Sequence, residues 1–268
     1  MGEILKLSII TISFNAEKVI ERTILSVLNQ SEQVYEYILI DGASTDGTCE
    51  IIRSYEEQFK AKGIRYIHVS EKDKGISDAF NKGIKRASGD LVGIINADDE
   101  LMPDACKILT EYAEKHPADI YYGDCIWIDE KNSWKYVSKP KHNLQELLYN
   151  MILIHPSTFV KREVYEECGV FDISYRYCMD KQLLYRFYKQ NKKFKYVEAS
   201  LTKFKAGGVS DTQVKAVFRE GSRMALENGE PYFKVKFIEY KKLIREILVR
   251  TIKKTPVYSM IKKVEKIG

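Results

Sequence analysis

Two adjacent carboxylates, Asp98 and Asp99, follow directly on the apolar run LVGII in the segment INADDEL, residues 95–101. Hard oxygen ligands of this type suit Mg²⁺ or Mn²⁺, which commonly take one or two carboxylates and complete their shell with substrate phosphates. A diphosphate leaving group is the chemistry such a pair would serve. An Asp pair can equally start a helix and favour its dipole, so the reading needs further residues. Three other polar clusters offer them: TISFNA at 11–16, DGASTDGT at 41–48 and EKDKGISDAFNKG at 71–83. The first contains no glycine, which removes a GxGxxG dinucleotide site, and neither a P-loop nor a Ser-His-Asp arrangement is present.

These clusters need elements to place them. Residues 4–12 are nearly all apolar and Ile-rich, as in a strand buried on both faces of a parallel sheet. Residues 16–30 then carry Val19, Ile20, Ile24, Val27 and Leu28 on one helical stripe. The cycle repeats: a strand at 35–41, a helix at 45–59 entered through Ser44 or Thr45, a strand at 64–69, a helix at 76–87, a strand at 90–97 and a helix at 103–115. Such alternation predicts an α/β fold with a doubly wound, mostly parallel sheet of Rossmann-like type. Ligands of such a sheet bind at the carboxyl ends of its strands, where all four clusters fall. Past residue 118 the rhythm changes. Residues 119–138 read as two antiparallel strands around a turn at Glu130–Ser133, which makes the sheet mixed. Residues 144–153 and 178–190 read as helices, 193–201 as a strand, and a last helix runs from 233 to 254, before Pro256. The domain reading is a catalytic domain over 1–231, with a donor half to about 117 and an acceptor half from 118, and a basic helical tail over 232–268.

The chain has 268 residues, 44% apolar and 30% charged, an ordinary globular balance that excludes wholesale disorder. Its five cysteines include no CxxC pair and no zinc-ligand spacing, which suits a reduced, cytoplasmic setting. No uncharged apolar run approaches the ~18–20 residues of a membrane span. Glu3 and the lack of a small-residue cleavage site argue against a signal peptide, and Lys6 against myristoylation. The net charge is +5, yet residues 232–268 hold eleven Lys or Arg against three Glu, a net of +8, leaving −3 for the rest.

The ordered set TISFN, ILIDGASTDGT, DKGISDAFNKGIKRASGDLVGIINADDEL, HPSTFVKREVYEECGVFD and MDKQLLYRF resembles the family 2 glycosyltransferases of GT-A fold, over roughly residues 5–225. The subset that builds bacterial surface polysaccharides is the most similar. The resemblance implies an inverting glycosyltransferase using a nucleotide-sugar, a UDP-sugar in this reading, with Mn²⁺ or Mg²⁺ as cofactor. It implies that Asp41 contacts the base or ribose and that Thr11, Phe14 and Asn15 line the nucleoside pocket, although Phe14 equally suits a core. Asp73, Lys74 and Gly75 would precede a helix whose amides face the donor, with Asp78 and Asn81 on its first turns. The family's DXD motif falls on Asn96, Ala97 and Asp98, so an asparagine replaces the first aspartate. Asp98 then becomes the main metal ligand and Asp99 its support. Asp180 takes the place of the catalytic base. His155 would stand near the acceptor or the diphosphate, and Asp124 and Trp127 would border the acceptor. Gly207–Asp211 resembles the family's flap, with Glu220 a candidate anchor.

In the tail, Phe237, Tyr240, Ile244, Ile247, Leu248 and Ile252 recur at three- and four-residue steps among Lys and Arg. Such a helix lies in a membrane interface, packs on the catalytic domain, or joins a second subunit as a homodimer. The first alternative places the protein at the inner face of the membrane with a polyprenyl-linked glycan as acceptor. Nucleic acid is a poor partner for a tail with few interleaved aromatics. Two rival functions remain at this level: a sugar-phosphate nucleotidyltransferase, which would need a Gly-rich basic loop after the first strand, and a non-catalytic nucleotide-sugar or glycan-binding protein, favoured only by the missing charge at Asn96.

Overall fold

In a computed structural model, residues 5–129, 134–205 and 213–253 are described. The chain divides into two compact units, Met1–Gly208 and Val209–Gly268. In the first unit, β1 (Leu7–Ser13), β2 (Glu36–Asp41), β3 (Arg65–Ser70) and β4 (Leu91–Asn96) pair in parallel in the order β3-β2-β1-β4. Strands β1, β2 and β4 are almost wholly buried because helices cover both faces of the sheet, while the edge strand β3 is only partly covered. Ile9, Ile20, Ile24, Leu39, Phe59 and Ile95 form part of the core under α1 (Ile20–Leu28), α2 (Thr48–Ser54) and α3 (Glu56–Ala61). On the opposite face α4 (Ile76–Ile84) buries Phe80 and Ile84, and Gly83 lets the helix approach Ile10, whose Cγ2 would lie 2.5 Å from a Cβ there.

The sheet then turns antiparallel. Short β5 (Glu100–Leu101) leads into α5 (Ala105–Lys115), followed by β6 (Ile120–Asp129), β7 (Trp134–Ser138), β8 (Thr158–Lys161), α6 (Arg162–Cys168), α7 (Met179–Lys189) and β9 (Phe194–Lys205). β8 lies antiparallel between β4 and β6, β9 runs parallel to β6, and β5 and β7 pair antiparallel with β9 and β6. The mixed α/β architecture expected from the alternation and from the change of rhythm past residue 118 is therefore present. The turn expected at Glu130–Ser133 lies outside the described residues, as does the flap-like segment Gly207–Asp211.

Two local expectations are corrected. The helix expected over 144–153 is only a 3₁₀ turn, Leu144–Leu148. Beyond it Ile154 is extended, and a separate 3₁₀ turn, His155–Ser157, follows with Pro156 near its start. Ser44 and Thr45 do not start a helix. Helix α2 begins at Thr48, whose amide donates to Asp46 Oδ1 at 3.1 Å, because Ser44 and Thr45 are engaged with Asp41 and Asn15. The segment HPSTFVKREVYEEC also contains a strand and a helix that its motif content concealed.

The second unit pairs α8 (Val214–Glu227) with α9 (Tyr232–Lys253), joined by a hydrogen bond from the Ser222 hydroxyl to Glu239 Oε2 at 2.9 Å. Glu220 lies on α8.

Candidate active site

Because β1 to β4 are parallel, their carboxyl ends share one edge. The register sets Ser13 beside Asp41 and Asp41 beside Ser70. Asp41 is fully buried there and accepts hydrogen bonds from the hydroxyls of Ser13 (2.9 Å), Ser44 (2.5 Å) and Ser70 (2.7 Å), from the Ser44 amide (2.8 Å) and from the Cys49 thiol (3.2 Å). Burial pushes its carboxyl up, but the bonds from Ser44, Ser70 and Cys49 together outweigh this and hold it below the ordinary aspartate value. Asp41 thus clamps three strand ends. Asn15 performs a similar task one loop away, in the left-handed backbone region (φ 48°) that asparagine tolerates. Its amide donates to Ser44 Oγ at 2.8 Å and its Oδ1 accepts from the Thr45 amide at 2.9 Å. Phe14 is left 65% exposed beside Gly42. Thr11 is different: it is fully buried, with its Oγ1 accepting from the Tyr37 hydroxyl at 3.0 Å, so it presents no surface to a ligand.

After β3, Asp73 Oδ1 accepts from the Gly75 amide at 2.8 Å, and Gly75 adopts φ 119°, ψ 177°, a conformation suited to glycine. The exposed Lys74 donates its amide to Asp78 Oδ2 at 2.9 Å, and Asp78 lies 3.6 Å from Lys82. Asn81 is engaged by a distant segment of the chain. Its side chain donates to the Phe171 carbonyl (2.8 Å) and accepts from the Phe171 amide (2.9 Å), while Ser77 donates to the Tyr175 carbonyl (3.1 Å). Helix α4 therefore pins the segment that leads into α7, whose first turn carries Asp180.

The antiparallel pairing of β8 with β4 sends the residues before Thr158 along the carboxyl-terminal half of β4. His155 is there, between the rings of Phe80 (5.4 Å) and Phe171 (5.7 Å). Burial lowers its pKa, and the charge of Asp180 opposes that shift, so the two groups are neighbours. Asp180 is half-buried, and its Oδ1 accepts from the Lys181 amide at 2.7 Å.

At the end of β4 the two carboxylates part. Asp98 is exposed, whereas Asp99 is 1% exposed and accepts from the Asn96 side-chain amide (2.9 Å) and the Lys205 backbone amide (3.3 Å). Burial, reinforced by the charge of Asp98, pushes Asp99 up to about 7. The turn is held from below by the Thr23 hydroxyl, 2.7 Å from the Ala97 carbonyl and 2.6 Å from that of Asp99. Among the described residues no group of three or more His, Cys, Asp or Glu is placed to hold a metal ion. The donor set, an outward carboxylate beside an asparagine whose NH₂ is turned toward Asp99, fits a divalent ion that arrives with phosphate oxygens rather than one held by protein alone.

Asp124 is buried at a bulge of β6, where it accepts from the Tyr196 hydroxyl at 2.6 Å, and its carbonyl accepts from the Ser157 hydroxyl at 2.9 Å. Trp127 is half-buried in a cross-strand row with Tyr136 (6.1 Å) and Phe204 (4.6 Å), its indole N–H without a hydrogen-bond partner among the described residues. Sequence patterns alone do not single out Ser13, Gly42, Cys49, Ser70, Ser77 or Phe171. Only the register of β1, β2 and β3 and the packing of α4 bring them to the edge.

With this edge built, comparison with known proteins becomes decisive. Residues 8–169 match the family described as Glycosyl transferase family 2. The chain belongs to that family. A PGL/p-HBAD biosynthesis glycosyltransferase of Mycobacterium tuberculosis is 27% identical over 252 residues, covering 91% of this chain and 95% of its own. A putative teichuronic acid biosynthesis glycosyltransferase, TuaG of Bacillus subtilis, is 37% identical over 105 residues, 39% of this chain and 40% of its own. Among solved structures, residues 1–349 of TarS from S. aureus in complex with UDP-GlcNAc superimpose with a TM-score of 0.66 at 16% identity, covering 89% of this chain and 72% of that one. The family 2 chain described here is thus a glycosyltransferase of GT-A fold.

Proposed function

We propose that this glycosyltransferase is inverting, uses a UDP-sugar and a divalent metal, and delivers the sugar to a hydroxyl of a growing or polyprenyl-linked surface glycan at the inner face of the cell membrane. The observation that best supports the reading is that Asp98 lies exposed in the turn after β4, while His155, whose titration the charge of Asp180 influences, is held beside the carboxyl-terminal half of the same strand. Relatives named for teichuronic acid and PGL/p-HBAD biosynthesis support a glycan-building role, and a neighbour that binds UDP-GlcNAc supports the donor class.

In this reading Phe14, Asn15 and the Asp41 clamp form the nucleoside end, with Asp73, Lys74, Gly75 and Asp78 lining the sugar-diphosphate path. Asp98, with Oδ1 of Asn96, would hold Mn²⁺ or Mg²⁺, which when bound neutralises charge on a diphosphate. Asp99, buried behind them, orients Asn96 rather than ligating. Asp180 takes the proton of the acceptor hydroxyl as its oxygen attacks the anomeric carbon. The bond from that carbon to the diphosphate breaks on the far side, UDP leaves with the bonding electrons, and the configuration inverts. General-base assistance of this kind contributes about 10²–10⁴ in rate. His155, kept neutral by burial, orders the Asp180 side of the cleft, while Asp124 and Trp127 border the acceptor.

The test is a panel of UDP-sugars with Mn²⁺, with UDP release and product anomeric configuration followed by NMR. Asp180→Asn is expected to lower kcat by about 10²–10⁴ while retaining UDP affinity, and Asp98→Ala to lose Mn²⁺-dependent UDP binding. Retention of configuration, or full activity in Asp180→Asn, overturns the mechanism.

A further inference from the structure

Helix α9 exposes an apolar stripe that its own unit does not cover. Phe233, Phe237, Tyr240, Ile244, Ile247 and Leu248 are between 56% and 86% exposed. At a helical period the first five follow one another at steps of four, three, four and three residues, so they share one face over about four turns. The opposite face is occupied: Val235 is buried, and Glu239, four residues on, accepts from Ser222 of α8. A stripe of this size is an interaction surface.

Its spacing is also that of a coiled-coil seam, which makes a second copy of α9 the natural rival. The flanking positions decide between them. One flank carries Lys234, Lys241 and Leu248; the other carries Lys236, Leu243 and Arg250. In a parallel pair of helices one flank faces the other, and in an antiparallel pair each flank faces itself. A parallel pair sets Lys236 against Lys241 and Leu243 against Leu248, and an antiparallel pair sets the lysines of one flank against each other, so lysine meets lysine in both cases with no acidic residue to answer it. The acidic residues of the helix, Glu239 and Glu246, stand off the stripe, on the side that includes the bond to α8. Lys234 and Lys236 pair with Glu230 and Glu239 (2.7 and 2.8 Å), whereas Lys241 and Arg245 are exposed and, among the described side chains of α9, stand open to an outside anion. Aromatic residues set along an apolar stripe, with cations at its margins, are the composition of a helix lying in a lipid interface. No helix among the described residues is long and apolar enough to cross a membrane.

We propose that α9 binds flat on an anionic lipid bilayer, seating Phe233, Phe237, Tyr240, Ile244 and Ile247 at the headgroup–acyl boundary, with Lys241 and Arg245 on the lipid phosphates. This goes beyond a general placement at a membrane face: it names the stripe, the lipid charge and the excluded self-pairing, and it does not depend on the transfer chemistry. The test is flotation of the full chain with vesicles of phosphatidylcholine alone or with about one-third phosphatidylglycerol. Binding is expected to be at least about tenfold stronger to the anionic vesicles and to fall steeply as salt is raised to about 0.5 M. Phe237→Ser with Ile244→Ser, and separately Lys241→Glu with Arg245→Glu, should each abolish flotation while circular dichroism and UDP release from a soluble donor stay unchanged. Absence of flotation by the native chain, equal binding to neutral vesicles, or a sedimentation-equilibrium dimer that Phe237→Ser with Ile244→Ser dissociates overturns the proposal. UDP release, measured in the same preparations, reports on the transferase reading alone.

Discussion

Asp41 and Gly42 are neighbours in one loop whose surroundings ask opposite things of them: Asp41 fills a ring of donors, and Gly42 must stay without a side chain. Asp41 is saturated by Ser13, Ser44, Ser70 and Cys49, so its removal strands several buried donors. Asp41→Ala should therefore cost about 2–4 kcal/mol of unfolding free energy in urea denaturation, since each buried group left unpaired costs about 1–3 kcal/mol. Gly42 does the opposite. A Cβ there would come 2.7 Å from Asp73 Oδ2 and 3.4 Å from the Phe14 ring. Gly42→Ala is expected to leave stability within about 1 kcal/mol while weakening UDP binding, read by calorimetry; unchanged affinity would remove Asp73 and Phe14 from the donor path. The type of Asp41 and its place at a strand end are legible in YILIDGAS. That its carboxylate faces three serines and a thiol is not, because those donors come from four separate segments.

Glu36 is the corresponding device at the other end of β2. It is fully buried and accepts from the Ser8 hydroxyl (2.7 Å), the Ser88 amide (2.6 Å) and Arg65 (2.8 Å), tying β1, β3 and the turn before β4 to the central strand. Burial raises its pKa, but the bonds from Ser88, Ser8 and Gly89 outweigh burial and hold it below the ordinary 4.5. A carboxyl lowered in the folded state contributes stability that is fully present above its unfolded value and is lost as pH falls through its folded one. Native stability should therefore decline below about pH 4.5, and Glu36→Gln should be less stable at neutral pH by about 1–3 kcal/mol with a flatter acid limb, measured by urea denaturation across pH. Strand content is largely readable here: β1 to β4 follow from apolar runs, and Gly93 within LVGII is explained by the Phe159 ring, which a Cβ would strike. The pairing that puts Phe159 there joins residues far apart in sequence. The 3₁₀ turn at Leu144–Leu148 reads as a longer helix because its apolar spacing is helical, whereas the chain leaves it at Leu148 and forms a second short 3₁₀ turn only at His155–Ser157.

For the molecule as a whole, ligand binding should appear as stability. A ligand that binds only the folded state at a hundredfold excess over its Kd adds about 2.7 kcal/mol. UDP with Mn²⁺ is thus expected to raise the thermal midpoint of the native chain, and to do so far less in Asp98→Ala; an equal rise in both would remove Asp98 from the metal site. The second unit carries a separate expectation, since α9 turns its apolar stripe outward and its acidic residues away from it.

What the residues alone determined is local or ordered along the chain: the alternation of strand and helix, the clustering of polar segments at strand ends, the asparagine at position 96 beside Asp98 and Asp99, and the concentration of positive charge after residue 231. Periodicity is a short-range property, so it is legible without a fold. The tertiary structure decided which member of each cluster faces outward. It separated exposed Asp98 from buried Asp99, sank Thr11 into the core, turned Asn81 toward Phe171 and set Asp180 within electrostatic reach of His155. Those outcomes depend on strand register and on contacts between segments distant in the chain, which local patterns do not encode.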